Sequence, residues 1–271
     1  MTFPGSAAVL GVLVLSTAVA TAQETALSLT PEQQETFLLH ARIVRMRSAG
    51  DGVTDSRRAT LTDGTITHDA HIQVIDQARP LFEAGRASEV NFKDTYRFNI
   101  AAYQLARLLD LHVPVSVPRT VEGKSAAVTW WIDDVLADEE TRVKKRMQPP
   151  DAVRFSKQIQ VMRIFDELIQ NRDRNQGNLL WTGDWTLWLI DHTRAFRLGR
   201  ELLKPDEVQR CARRLLERLR ALTAETVGAA VGRSLMPSEL DALLIRRDVI
   251  VQRIDRLIAE RGEEAVLFDD P

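Results

Sequence analysis

The spacing of apolar side chains changes character from segment to segment along this chain. Residues 7–20, "AAVLGVLVLSTAVA", run apolar without a charge and lead into Ala20-Thr21-Ala22, a small-x-small pattern. This is the pattern of a cleaved export signal over residues 1–22, although "MTFPGS" ahead of it holds no Lys or Arg. The run is too short to favour a membrane span; an uncleaved anchor and a misassigned start codon are the alternatives. Next, "TPEQQETFLLHARIVRMR" (30–47) opens with Thr30 as an N-cap, Pro31 at the first helical position and Gln33 completing a capping box, which predicts a helix. Residues 48–76 switch to short alternating runs, with Asp63-Gly64 as a hairpin turn between "RATLT" and "TITH". Helical spacing returns within 91–111 at Phe98, Ala101, Ala102, Leu105, Leu108 and Leu109, and strands then flank Glu122-Gly123 across 113–134. From Pro150 onward the spacing is mostly helical. Val153, Phe155, Ile159, Met162, Phe165, Leu168 and Ile169 give residues 151–170 a broad apolar face. A short strand pair at 178–191, turning at Gly183-Asp184, interrupts this rear half. A β-rich front with one main helix, then a helix-rich rear, predicts an α+β fold in two lobes.

Composition narrows the function classes. A chain of 271 residues suits one large domain or two lobes around a substantial core. Its 36 Lys and Arg nearly balance 38 Asp and Glu, so no global field draws nucleic acid or an anionic membrane. The single cysteine, Cys211, excludes an intrachain disulfide and a multi-Cys zinc site, and in "VQRCARRLLERL" it reads as a small packed side chain. His68, Asp69, His71 and His192 read as ordinary strand and turn residues rather than a metal site. Arg213, Arg214, Arg218 and Arg220 read as a solvated helix face.

The stretch that carries chemistry is "NRDRNQGNLL" (171–180), a polar loop between a buried helix and the hairpin. Asp173 and Asn178 stand five apart in it, and Asp191 follows thirteen later at the end of the second hairpin strand. Phosphoryl transfer asks little covalent chemistry of a protein. It needs a carboxylate to orient the attacking hydroxyl and oxygen ligands to hold magnesium against nucleotide phosphates. An Asp and an Asn on one loop, with a second Asp delivered by a rigid hairpin, meet that need.

Asp173-x4-Asn178 followed by Asp191 resembles the catalytic loop and metal-binding pattern of the protein-kinase-like superfamily. "NRDRNQGNLL … WLIDHTRAF" is similar to the corresponding segment of phosphatidylinositol 3-/4-kinases and their bacterial relatives, of HipA-like kinases and of secretory-pathway kinases of the Golgi casein kinase type. The match is strongest over residues 160–197. It implies a kinase-like fold with a small β-rich N-lobe (23–134) and a larger helical C-lobe (135–271). Residues 127–134, "AVTWWIDD", would form the linker between lobes against the adenine, with Trp131 as a cofactor contact.

On the same resemblance the cofactors are ATP and Mg²⁺. Asp173 would orient or deprotonate the acceptor, Arg174 would stand in for the arginine beside the catalytic Asp, and Asn178 and Asp191 would bind metal. Asn175 departs from the His common in the lipid-kinase branch. The phosphate-contacting Lys and its Glu partner map onto Gln73 and Asn99, an amide facing an amide, with Lys93 the nearest substitute cation. Gly50 and Gly52 are candidates for a phosphate-covering loop. The resemblance thus implies a kinase-like phosphotransferase acting on an unspecified lipid, protein or small-molecule acceptor. A catalytically impaired pseudokinase-like binding module is the alternative, and a helical scaffold that only mimics the motif is a third reading. The signal places the chain in the periplasm, outside the cell or in the secretory pathway, or in the cytoplasm if the start is misassigned.

Overall fold

A computed structural model describes residues 29–48, 56–84 and 87–271, the side chains of residues 84, 87 and 88 excepted. The export-signal segment and the Gly50/Gly52 loop lie outside the described residues. Helix α1 (Pro31–His40) starts at Thr30, whose hydroxyl accepts from Gln33 N (3.3 Å) while Gln33 Oε1 accepts from Thr30 N (2.8 Å). These reciprocal bonds satisfy two donors that a helix start leaves open. The helix is short, as its sequence suggested. Ala41 is extended, and β1 (Arg42–Ser48), with its β-branched Ile43-Val44, pairs with β2 (Arg57–Thr62). The Asp63-Gly64 turn joins β2 to β3 (Thr67–Gln73), with Gly64 at φ +96° and Asp63 Oδ1 accepting from Thr65 N and Ile66 N (2.8 Å each).

A two-stranded ribbon, β4 (Asp76–Ala84) and β5 (Ala87–Thr95), follows where the hydrophobic pattern gave no strand signal. It leads into α2 (Arg97–Leu109), which begins after Tyr96 rather than in the preceding polar stretch. Strands β6 (Ser116–Val121) and β7 (Lys124–Trp130) turn at Glu122-Gly123 and complete a five-stranded antiparallel sheet in the order β1-β2-β3-β7-β6. The segment 127–134 therefore divides: Ala127–Trp130 belong to β7, and Trp131–Asp134 form the connection to β8 (Val135–Asp138).

The rest is mainly helical. Short α3 (Glu139–Lys144) precedes α4 (Ala152–Ile169), whose Ile164, Phe165, Leu168 and Ile169 are 0–1% exposed. Strands β9 (Leu179–Thr182) and β10 (Leu187–Leu189) form a hairpin extended by β8, and α5 (Arg213–Ala221), α6 (Ala224–Val231) and α7 (Pro237–Arg261) close the rear. Cys211 is fully buried, and burial pushes its thiol up to about 12. It is a packed side chain. Among the described residues no helix is long and apolar enough to cross a membrane. The architecture is an antiparallel sheet with one main helix at the front and a helical rear, as the periodicity predicted.

Candidate active site

The loop after α4 is fixed before it can present anything. Gln170 closes the helix in a left-handed conformation (φ 49°), and its buried amide donates to Glu201 O (3.0 Å). Asn171 Oδ1 then accepts from Asp173 N (3.1 Å), an Asx turn that sets the Asp173 backbone. Arg174 points inward, its side chain only 10% exposed. Its Nε and Nη2 clasp Asp166 of α4 (2.9 Å each to the nearer oxygen), and Nη1 donates to the carbonyls of Asn178 (3.1 Å) and Ile190 (2.8 Å). One guanidinium thus fixes the backbone at Asn178 against the backbone just before Asp191. Ile190 N donates to Asn178 O (3.1 Å), reinforcing the same register.

The other side of Asp191 is held by α2, where Asn99 Oδ1 accepts from His192 N (2.7 Å). Asp191 itself adopts a left-handed conformation (φ 52°), which costs a non-glycine residue about 1–3 kcal/mol. Arg174 and Asn99, gripping the peptide groups on either side, oppose that cost. The Asp191 carboxylate is exposed, and Oδ1 accepts from Thr193 Oγ1 (3.1 Å). His192 is 1% exposed, and burial holds its imidazole far below its usual value, with Arg174 adding to the effect. The neutral ring accepts from Arg174 Nη2 through Nε2 (3.1 Å).

These residues open onto a cleft of about 690 Å³ between the sheet and the hairpin. Gln73, Asn99, Trp131, Asn178 and Asp191 all line it. Asn99 spends its oxygen on His192 rather than simply facing Gln73. Trp131 carries the Arg58 guanidinium on its indole at 4.0 Å, and Arg58 is held in turn by Asp69 Oδ2 (2.6 Å). Asn178 Nδ2 is buried and has no hydrogen-bond partner among the described residues. An amide can be turned end over end, so this side chain can offer a donor to a phosphate or an oxygen to a cation.

Lys93, the nearest cation to the Gln73/Asn99 pair in sequence, does not line the cleft. Its Nζ pairs with Glu239, whose side chain is 3% exposed, and a second acceptor is Met236 Sδ (3.4 Å). Moving the ammonium to the cleft would strand a buried carboxylate. Arg174 and Asp173 also lie outside the lining. Arg174 acts on the backbone behind the site. Asp173 is half exposed, and Oδ1 pairs with Arg194 Nη1 (3.3 Å), which also meets Glu89 of β5 (3.3 Å).

One functional candidate carried no sequence signal, and two residues read as ordinary strand positions also take part. Asp94 on β5 is 9% exposed, accepts from the Thr193 side chain, and has an Oδ1 without a partner among the described residues. Burial raises its carboxyl above the usual range, and the neighbouring charges of Asp191 and Asp173 push the same way. His71 lines the cleft and contacts Ser56, while burial lowers its imidazole against the opposing pull of Asp191. His68 stacks on Trp130 (3.7 Å) and bonds Asp133 Oδ2 (2.7 Å), a strand-to-linker contact. Among the described residues no group of three His, Cys, Asp or Glu side chains is arranged to hold a metal.

The donor set at Asn178 and Asp191 nevertheless fits magnesium bound with a nucleotide. That ion takes one or two protein oxygens, keeps waters and draws further ligands from phosphate.

No protein-family model matches the sequence, and no curated protein matches it either. Solved structures do. A hydra Fam20 bound to sugar superposes with a TM-score of 0.69 at 15% identity, over 89% of this chain and 92% of that one. The Golgi casein kinase gives a TM-score of 0.62 at 15% identity, over 89% and 80%. The Helicobacter pylori proinflammatory kinase CtkA gives 0.53 at 10% identity, over 84% and 98%. The fold is that of these kinases.

Proposed function

We propose that this protein is an atypical kinase, transferring the terminal phosphoryl group of Mg-ATP to a hydroxyl acceptor. One observation carries the reading: Arg174 and Asn99 hold the backbone on both sides of Asp191 and fix it against Asn178, at the edge of a cleft large enough for a nucleotide. Preorganisation of this kind is the main protein contribution to phosphoryl transfer. Magnesium, bound through Asp191 and Asn178, would neutralise charge developing on the phosphates. Trp131 and the 131–134 connection would face the base, and Asn99 would keep Asp191 in place.

Asp173 would orient the acceptor hydroxyl and accept its proton as the new P–O bond forms and the bond to ADP breaks. Arg194 is a positioning residue in this scheme, holding the Asp173 carboxylate from the side of the β4–β5 ribbon. Residues 1–22 would be removed on export, leaving lobes at 23–134 and 135–271. Resemblance to a Golgi kinase supports the secretory route.

A second reading, a nucleotide-binding module without transfer activity, is favoured by one feature. No Lys or Arg lines the cleft among the described residues. Transfer of labelled phosphate from ATP, to the protein itself or to a panel of peptide, lipid and sugar acceptors, separates the two. The kinase reading expects transfer that falls at least a hundredfold in Asp173→Asn with nucleotide binding unchanged. Tight Mg-ATP binding without transfer in the wild type establishes the binding module instead.

A further inference from the structure

One edge of the five-stranded sheet is open and carries charge of a single sign. β1, "RIVRMRS", ends the strand order and pairs only with β2. The far edge, β6, lies against α1, where Arg119 Nη1 donates to Leu38 O (2.8 Å). Among the described residues no backbone hydrogen bond leaves the outer side of β1. That side is a row of unpaired N–H and C=O groups.

The register sorts the side chains between the two faces. Ile43 and Met46 lie opposite Leu61 and Ala59, both fully buried, so they face the core. Arg42, Arg45 and Arg47 lie opposite Thr62, Thr60 and Arg58, on the other face. Plain alternation would send Arg42 and Arg45 to opposite faces. The register shift between Ile43 and Arg45 brings them to the same one and leaves Val44 50% exposed. All three arginines are exposed, and none has an ion-pair or hydrogen-bond partner among the described residues. Their neighbours on β2 are engaged: Arg57 by Glu122 (2.7 Å) and Arg58 by Asp69 (2.6 Å). None of the three lines the cleft.

We propose that the β1 edge is a docking surface for an acidic polypeptide segment, which adds to the sheet as a further strand with its carboxylates against Arg42, Arg45 and Arg47. Main-chain hydrogen bonds to the open edge supply affinity, and the guanidiniums select the partner's charge. Charge on an edge strand ordinarily keeps other strands away. A run of one sign turns away basic strands and attracts an acidic one. Two copies of this chain placed edge to edge would set arginine against arginine, which disfavours pairing of β1 with itself. Successive side chains of a strand alternate between faces, so the fitting partner carries carboxylates at every second position. The surface lies outside the cleft, and docking there is independent of the nucleotide reading.

The test measures fluorescence anisotropy of labelled peptides of seven residues, the length of β1, against the chain from Gln23 onward. One peptide alternates glutamate and valine, and a second alternates lysine and valine. Two further forms of the acidic peptide carry N-methyl groups on one or the other set of alternate amides. The acidic peptide is expected to bind and the basic one not. Only one set of amides can face the edge, so methylating that set should weaken binding by about tenfold or more, while the other form still binds. Arg45→Glu/Arg47→Glu, with circular dichroism confirming the fold, should weaken the acidic peptide by about tenfold or more and bring in the basic one. Undiminished binding of both methylated forms shows a general polyanion patch and overturns strand addition. Unchanged binding to the double variant overturns the role of the arginines. No binding of the acidic peptide to the folded wild type removes the docking surface altogether.

Discussion

Replacing Arg174 by methionine tests how the site is held together. The side chain is 10% exposed, and its partner Asp166 is 13% exposed. Methionine keeps much of the apolar stem and deletes the charge, the bidentate grip on Asp166 and both carbonyl bonds to Asn178 and Ile190. Removing one member of a buried ion pair costs about 3–5 kcal/mol because the other charge is left uncompensated. The two carbonyls add at most about 1 kcal/mol each, partly recovered as water reaches a loosened loop. A net loss of about 4 kcal/mol follows, which for a domain of this size lowers the melting temperature by roughly 8–16 °C.

Urea unfolding followed by tryptophan fluorescence reads the stability directly. The double variant Arg174→Met/Asp166→Leu removes the stranded carboxylate, so it should be less destabilised than the sum of the two single changes by about 2–3 kcal/mol. Mg-ATP binding should stay weak in the double variant even where stability returns, because the Asn178–Asp191 register is still unpinned. A single-variant loss below about 1 kcal/mol, or strict additivity, refutes the claim that this guanidinium organises the loop.

Other outcomes follow from the same geometry. Lys93→Met should cost stability by exposing the Glu239 pair, while Mg-ATP affinity stays within twofold of wild type; a tenfold loss of affinity would put the ammonium in the cleft after all. Burial depresses His192 below its usual 6.5, and His71 and His112 shift the same way. The unfolded chain therefore takes up protons that the folded chain refuses. The resulting stability is complete above about pH 6.5 and declines as pH falls below it, by at most about 1.4 kcal/mol per pH unit for each histidine. Asp94 and Glu167, raised by burial, have the opposite sign: their contribution is present at low pH and is lost as pH rises through their folded values. Unfolding midpoints from pH 8 to 5.5 should show the decline, with a shallower slope in His192→Gln, and identical slopes would argue against a buried neutral His192.

The legible parts of this molecule are those encoded locally. Thr30-Pro31-Gln33 specifies a capping box within four residues, and Asp63-Gly64 and Glu122-Gly123 specify their turns within two. The loop at 171–178, the hairpin and Asp191 could be placed together because short chain segments of known geometry connect them. The β4–β5 ribbon was illegible for a physical reason. Pro80 interrupts one strand, and Leu81 and Val90, paired across the ribbon, are exposed rather than alternating into a core.

Long-range partners were beyond the pattern as well. Arg194 meets Glu89 across 105 positions, and Lys93 meets Glu239 across 146, so nothing near Lys93 revealed that it was engaged. Asn99 was marked as a neutral substitute in the nucleotide site. Its bond to His192 N gives it a second part, holding the Asp191 backbone from a helix ninety-three residues earlier.

Asp191 facing a metal-bound nucleotide across from Asn178 is the central claim. Calorimetric titration of Mg-ATP into the wild type and Asp191→Ala, with circular dichroism confirming that both are folded, measures this without reference to any acceptor. Saturable binding to the wild type and a loss of at least fiftyfold in the variant are expected. Equal binding to both proteins, or none to either, would contradict it.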